Sequence, residues 1–286
     1  TSSPRSFPIL WLPSGVSRPL PFPPSHRAVS LSGMTIALSD IRRYPVKGMS
    51  GETLDAVDVI AGEALPHDRR FALAHASSGF NRAEPGWMPK NHFLNLSRDE
   101  KLAQLAVHFD PETTTLTVER GGRRVATGNA ATSIGRMMLD QFFAGFIASG
   151  ARGNPKIVET PGTPFADCPE RFLSIISTSS LAEVERVARQ PVDPLRFRAN
   201  LTVTGAERWE ERDWIGCDLA IGEARFRVEE PIERCAATNV DPNTATRDMN
   251  IPMVLERGFG HVEFGVYARV TTPGTIRPGD AITLIR

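Results

Sequence analysis

Cysteine 235 follows an arginine, and that dipeptide is the most reactive-looking pair in the chain. A thiolate is a soft ligand suited to a redox metal, and Arg234 beside it, with further arginines brought in by the fold, would lower the thiol pKa and favour the anion. The bland reading of a single cysteine is a small buried hydrophobe, and both readings stand on the dipeptide alone. The other cysteines, Cys168 and Cys217, form no CxxC pair with it or with each other, so neither a thiolate zinc site nor a disulfide framework is indicated. Histidines 67, 75, 92 and 261 share no helical face, which leaves histidine ligation and histidine catalysis without support. The chain has no GxGxxG after a strand and no GxxxxGK[ST], HExxH or GxSxG, so the dinucleotide, P-loop, zinc-protease and serine-hydrolase templates all fail.

The surrounding chain is that of an ordinary globular protein. Its 286 residues are 41% hydrophobic and 23% charged, with 33 basic against 33 acidic side chains. This length favours two domains with ample core. Charge balance argues against nucleic acid as a partner, so any anion site must be local. No apolar run approaches the roughly 18 residues of a membrane span; residues 142–148 come nearest, and Gly145 interrupts them. The unpaired cysteines suggest a reducing, cytoplasmic location. Residues 1–33 hold seven prolines, eight serines and no acidic residue, which predicts a disordered leader, either a targeting segment or sequence foreign to the native protein.

Short alternating or β-branched runs predict strands over 35–41, 54–59, 71–75, 105–109, 116–120 and 123–126. Asp110-Pro111 and Gly121-Gly122 serve as hairpin turns. Ile134, Met138, Phe142 and Phe146 fall about four apart and predict a helix over 133–147, closing a first domain at 34–150. The linker candidate is 150–155. A second domain, 151–286, is expected to open with a strand over 172–176. It continues with a helix whose capping box is Ser180 and Glu183, then strands over 201–203, 218–221, 225–228, 264–270 and 281–285. The fold class is mostly β with a few helices (α+β), and many short strands with few helices point to barrel-like sheets.

Several short motifs occur in an order that resembles one family. Tyr44-Pro45-Val46-Lys47-Gly48, Asp68-Arg69-Arg70-Phe71, Arg196-Phe197-Arg198-Ala199-Asn200, Glu233-Arg234-Cys235 and the closing Gly279-Asp280 turn are similar to those of MOSC-domain proteins, here preceded by their N-terminal β-barrel domain. The resemblance implies a molybdenum cofactor (Mo-molybdopterin) with Cys235 as metal ligand and catalytic residue. It implies that Lys47, Gly48, Arg69, Arg198, Asn200 and Arg234, with Asp167 and Ser177, contact the pterin and its phosphate. It further implies an oxidoreductase that reduces N-hydroxylated small molecules such as hydroxylamines and amidoximes. Electrons would come from a separate partner: a ferredoxin, a flavodoxin or a cytochrome b5-like protein with its reductase. Pyridoxal phosphate binding is a further expectation attached to the same resemblance. The rivals are a sulfur carrier holding a persulfide on Cys235 and a non-enzymatic carrier of the cofactor. This chain departs from the motifs at Ala199, where many members have proline, and at Glu233, for which an ion pair with a neighbouring arginine is expected over a proton-donating role.

Overall fold

The structure is a computed structural model, and it describes residues 35–147, 153–160 and 162–285. The leader expected over residues 1–33 lies outside these, as does half of the expected linker. In chain order the strands of the first half are β1 (Ala37–Arg43), β2 (Glu52–Thr53), β3 (Val57–Val59), β4 (Phe71–Ala74), β5 (Leu105–Asp110), β6 (Thr115–Arg120) and β7 (Arg123–Asn129), followed by helix α1 (Ser133–Ile147). Next come β8 (Lys156–Glu159), β9 (Leu173–Ser177), α2 (Thr178–Ala188), β10 (Leu201–Thr204), α3 (Glu210–Asp213) and β11 (Asp218–Ile221). The chain ends with β12 (Ala224–Glu233), α4 (Ile251–Phe259), β13 (Glu263–Thr272), β14 (Gly274–Ile276) and β15 (Ile282–Ile285).

The fold is mostly β, as its alternating runs require. The largest sheet has the order β15-β11-β12-β13-β9-β10-β1-β2 and curls into a half-barrel. Its inner face is a core of Leu38, Ile41, Leu173, Ile175, Leu201, Val203, Phe226, Val228, Val266 and Ala268. Period-two burial along β12 and β10 is the pattern expected of strands with one face buried. Strands from the two halves of the sequence interleave: β1 pairs with β10, β3 with β14, and β4 with β8. Residues 34–286 form one compact unit.

The two predicted hairpins are the β5-β6-β7 sheet, and α1 spans the predicted residues. The buried face of α1 differs by one position from the expected one. Gly135, Leu139 and Phe143 are buried, while Ile134 and Met138 are 67% and 48% exposed. Gly135 explains the rotation, because a Cβ there would lie 2.1 Å from Asn129 O, so the helix backbone approaches β7 on its glycine side. Helix α2 is capped three residues before the expected position. Ser177 is the N-cap and its Oγ accepts from Ser179 N at 3.3 Å. Ser180 lies inside the helix, where it donates to the buried Glu211 carboxylate at 2.7 Å. Among the described residues no helix is long and apolar enough to cross a membrane.

Candidate functional site

A cavity of about 560 Å³ opens where loops of both halves meet. The first half contributes Lys47, Gly48, Asp68, Arg69 and the segment around Lys90, Asn95 and Ser97. The second contributes Asp167, Cys168, Arg198, Asn200, Arg234 and Cys235. Of the residues expected at a site, Ser177 alone does not line it, since its hydroxyl is spent capping α2.

The basic side chains fall into two groups. Lys47 is buried, and its ammonium donates to Phe165 O at 2.9 Å and to Asp167 Oδ1 at 2.7 Å. Burial lowers its pKa, and Asp167 opposes that shift. Arg69 is tied to Asp68, and its Nη2 donates to Arg198 O at 2.8 Å. Both Arg69 and Arg198 adopt left-handed backbone, with φ of +48° and +52°. Conformations of this kind cost energy in non-glycine residues and are found where a site over-determines the chain. Both guanidiniums lie over the Tyr44 ring, 4.8 and 4.3 Å from its centroid.

Arg198 and Arg234 form the second group, and no carboxylate partners either of them among the described residues. Arg198 donates to Met49 O, and Arg234 donates to Phe264 O at 2.8 Å and Phe197 O at 2.9 Å. The Nη2 of each is buried without a partner. Burial brings both guanidiniums down to about 10, so both remain charged at neutral pH. Two cations, each with a buried unpartnered Nη2 and hydrogen-bonded only to carbonyls among the described residues, form an incomplete electrostatic arrangement, and an anion in the cavity would complete it. This fits a phosphate-bearing cofactor, since guanidinium forks match phosphate oxygens.

Cys235 lies two residues beyond β12, at the N-cap of the 3-10 turn Ala236–Asn239. Its sulfur lies 3.4 Å from Ser97 Oγ and 3.5 Å from Lys90 Nζ. Burial opposes the thiolate, but Ser97, the Ala237 amide and Lys90 outweigh it, and the thiol pKa lies below the ordinary value. Lys90 also reaches Asp167 Oδ2 at 3.4 Å, so Lys47, Asp167, Lys90 and Cys235 form one chain of contacts across the cavity. Burial works against the Asp167 carboxylate, yet Lys47 and Lys90 hold its pKa far below the usual range. Cys168, in contrast, is pushed up to about 11 by burial and by Glu170 and Glu230. No cluster of three His, Cys, Asp or Glu side chains that could hold a metal exists among the described residues.

Sequence reasoning passed over Lys90 and Ser97. Their loop has no helical or strand period, and it is organised by the Asn95 amide, which donates to Lys90 O and Phe93 O, both at 3.0 Å, and accepts from Ser97 N. The one signal available was the Asn-x-Ser spacing of a side-chain-stabilised turn. Asn200 lines the cavity with its amide turned to structural use: Oδ1 accepts from Ser174 N and Oγ, and Nδ2 donates to Arg42 O. Arg196 holds Asp241 and Asp248 at 3.1 and 2.7 Å. Glu233 departs from expectation: it is exposed at the rim and has no ion pair among the described residues, because the Arg234 side chain turns inward to Phe197 and Phe264.

Comparison with known proteins agrees with this architecture. A model described as MOSC domain matches residues 162–283, and one described as MOSC N-terminal beta barrel domain matches residues 35–141. The chain is a member of the MOSC family carrying both modules. It is 27% identical over 123 residues to human mitochondrial amidoxime-reducing component 1, a match covering 39% of this chain and 36% of that protein. It is 37% identical over 78 residues to bovine molybdenum cofactor sulfurase, covering 27% of this chain and 9% of that protein. Matched stretches thus span less than half the length of these relatives. The crystal structure of the YUAD protein from Bacillus subtilis aligns with TM-score 0.42 and 14% identity over 88% of this chain and 96% of that one.

Proposed function

We propose that this chain is a molybdenum cofactor-dependent oxidoreductase that reduces N-hydroxylated compounds, with electrons from a separate protein. The observation that carries this reading is the pair of buried guanidiniums, Arg198 and Arg234, that lack an anion partner in the same cavity as a thiol with a lowered pKa. The similarity to amidoxime-reducing components supports the reaction class. Arg198 and Arg234 would clamp the cofactor's phosphate, Arg69 and Lys47 would add charge around it, and Cys235 would ligate the metal. When bound, the molybdenum centre supplies two-electron redox chemistry, which with two protons converts an N–OH group to N–H and water.

The protein's own groups shape that site. Ser97, Lys90 and the Ala237 amide act against burial and favour the thiolate form of Cys235. Asp167 keeps the two lysines fixed from opposite sides. Gly48, at φ +82°, leaves room beside Lys47, for a Cβ there would sit 2.9 Å from Leu102 Cδ1. Pyridoxal phosphate forms no part of this reading. Similarity to molybdenum cofactor sulfurase favours a second reading in which Cys235 carries a persulfide.

Elemental analysis separates the two. Protein made in cells that synthesise the cofactor is expected to hold about one molybdenum per chain, and Cys235→Ala is expected to lose it. Well-folded wild-type protein with no molybdenum but with cyanide-labile sulfur on Cys235 would move the assignment to sulfur transfer.

A further inference from the structure

The loop that carries Ser97 and the turn that carries Cys235 come from opposite halves of the chain. The two residues are 138 positions apart, yet the Ser97 hydroxyl sits 3.4 Å from the Cys235 sulfur. Apolar packing draws the segments together, since Leu94 and Leu96 share a core cluster with Val240 and Ala237 packs against it. Such packing is non-directional and sets no register between loops. Among the described residues no backbone-to-backbone hydrogen bond runs between residues 90–97 and 235–239. The side-chain bonds that cross directly are those of Lys90 and Ser97, and both end on the sulfur itself.

Arg247 supplies the missing tie. Its Nη1 donates to Ala236 O at 3.0 Å, the carbonyl next to Cys235, and its Nη2 donates to Leu96 O at 2.8 Å, the carbonyl next to Ser97. Nη2 also meets Glu100 Oε2 at 3.3 Å, on the same first-half segment. One planar fork therefore joins the two loops through the residues that adjoin each end of the hydroxyl–sulfur contact. The backbone behind the fork is itself fixed. Arg247 closes an antiparallel bridge with Val240, Asp241 N donates to Thr246 O at 2.8 Å, and the Asp241 carboxylate accepts from the Asn243 and Thr244 amides at 2.8 and 2.7 Å. The next residue, Asp248, lies 2.7 Å from the guanidinium of Arg196, a buried side chain that lines the cavity. The turn is thus anchored on the second half at Asp248 and reaches the first half at Arg247.

We infer that Arg247 is a positioning residue: by tying the Leu96 and Ala236 carbonyls to one guanidinium it holds the Ser97 hydroxyl and the Cys235 sulfur at contact distance. Arg247 does not line the cavity, so it acts through the two loops and not on a bound molecule. As a means of presenting a metal-ligating sulfur it rests on the function proposed above, whereas the tie between the loops stands apart from that reading. Arg247→Lys keeps the charge but offers a single nitrogen in place of the fork, so it cannot hold both carbonyls at the same fixed spacing.

The test measures how readily the two positions meet. In metal-free full-length protein carrying Cys168→Ser, Cys217→Ser and Ser97→Cys, equilibration with reduced and oxidised glutathione gives the effective concentration of the thiols at positions 97 and 235 from the fraction joined as a disulfide. Loss of two hydrogen bonds is expected to lower that value about ten-fold in Arg247→Ala, and loss of one to lower it about three-fold in Arg247→Lys. Asp248→Asn, which alters the same turn and leaves Arg247 in place, is expected to stay within about two-fold of the parent. Circular dichroism checks the fold of each variant, and where Arg247→Ala does not fold, Arg247→Lys carries the comparison. An unchanged effective concentration in the arginine variants, or an equal loss in Asp248→Asn, would overturn the inference. With Ser97 and all cysteines intact and the chain made in cells that synthesise the cofactor, Arg247→Ala is expected to lower molybdenum content about two-fold or more. A full complement of metal there would overturn the role in presenting the sulfur. Wild-type protein without molybdenum would instead remove the cofactor assignment and leave the disulfide result standing.

Discussion

Arg198 shows how a binding site is written into a protein at a cost to its stability. Its guanidinium is buried beside Arg69, has one unsatisfied nitrogen, and donates only to a backbone carbonyl. Uncompensated buried charge is destabilising, and replacement by a neutral side chain of similar length is often neutral or favourable. Arg198→Met is accordingly expected to leave the unfolding free energy of metal-free protein within about 1 kcal/mol of wild type or above it. The same change is expected to cut molybdenum content at least ten-fold. Chemical denaturation and elemental analysis read the two effects, and a large loss of stability without loss of metal would make Arg198 a structural residue. Ser177 and Ser180 make a converse point. Both are small hydroxyl residues near a helix start, and the sequence does not reveal which one caps the helix. That depends on the buried Glu211, thirty-one positions beyond Ser180, which claims the Ser180 hydroxyl.

At the scale of elements, the junction of β9 with β13 is the most exacting place in the site. Gly265 has φ +76°, and a Cβ there would stand 2.5 Å from Ile175 O and 3.3 Å from Arg234 Nη2. Gly265→Ala is therefore expected to cost about 2 kcal/mol or more in urea unfolding, from left-handed strain together with the clash. It is also expected to weaken cofactor retention by pushing Arg234 aside, whereas an unchanged urea midpoint would show that the strand shifts freely. Strands with an alternating face, such as β6, β11 and β13, were legible because period two survives into the sequence. β8 and α4 escaped notice. β8 is four residues long and gains its place only by pairing with β4 across 82 or more positions, and α4 is a nine-residue helix announced by little more than the Asn250 cap and Pro252. The Cys235 motif was legible as a string of residue types, while the loop holding Lys90 and Ser97 against it was not, because contact between distant loops leaves no local period.

At the scale of the molecule, the two family modules share their sheets. β1 lies between β10 and β2, β3 pairs with β14, and β4 pairs with β8. The β1–β10, β3–β14 and β4–β8 ladders all cross residue 150. The full chain is expected to unfold in a single transition, coincident by circular dichroism and tryptophan fluorescence, and residues 151–286 made alone are expected to aggregate through the bare edge of β10. Two separated transitions would mean that the halves are independent bodies. The interleaving also sets a timetable for biosynthesis. Ser39 of β1 hydrogen-bonds to Thr202 of β10 across 163 residues of chain, a stretch that a ribosome adds in roughly ten to thirty seconds. During that interval nascent β1 has only the short β2 beside it, and its other edge stays open to pairing with other chains until β10 emerges.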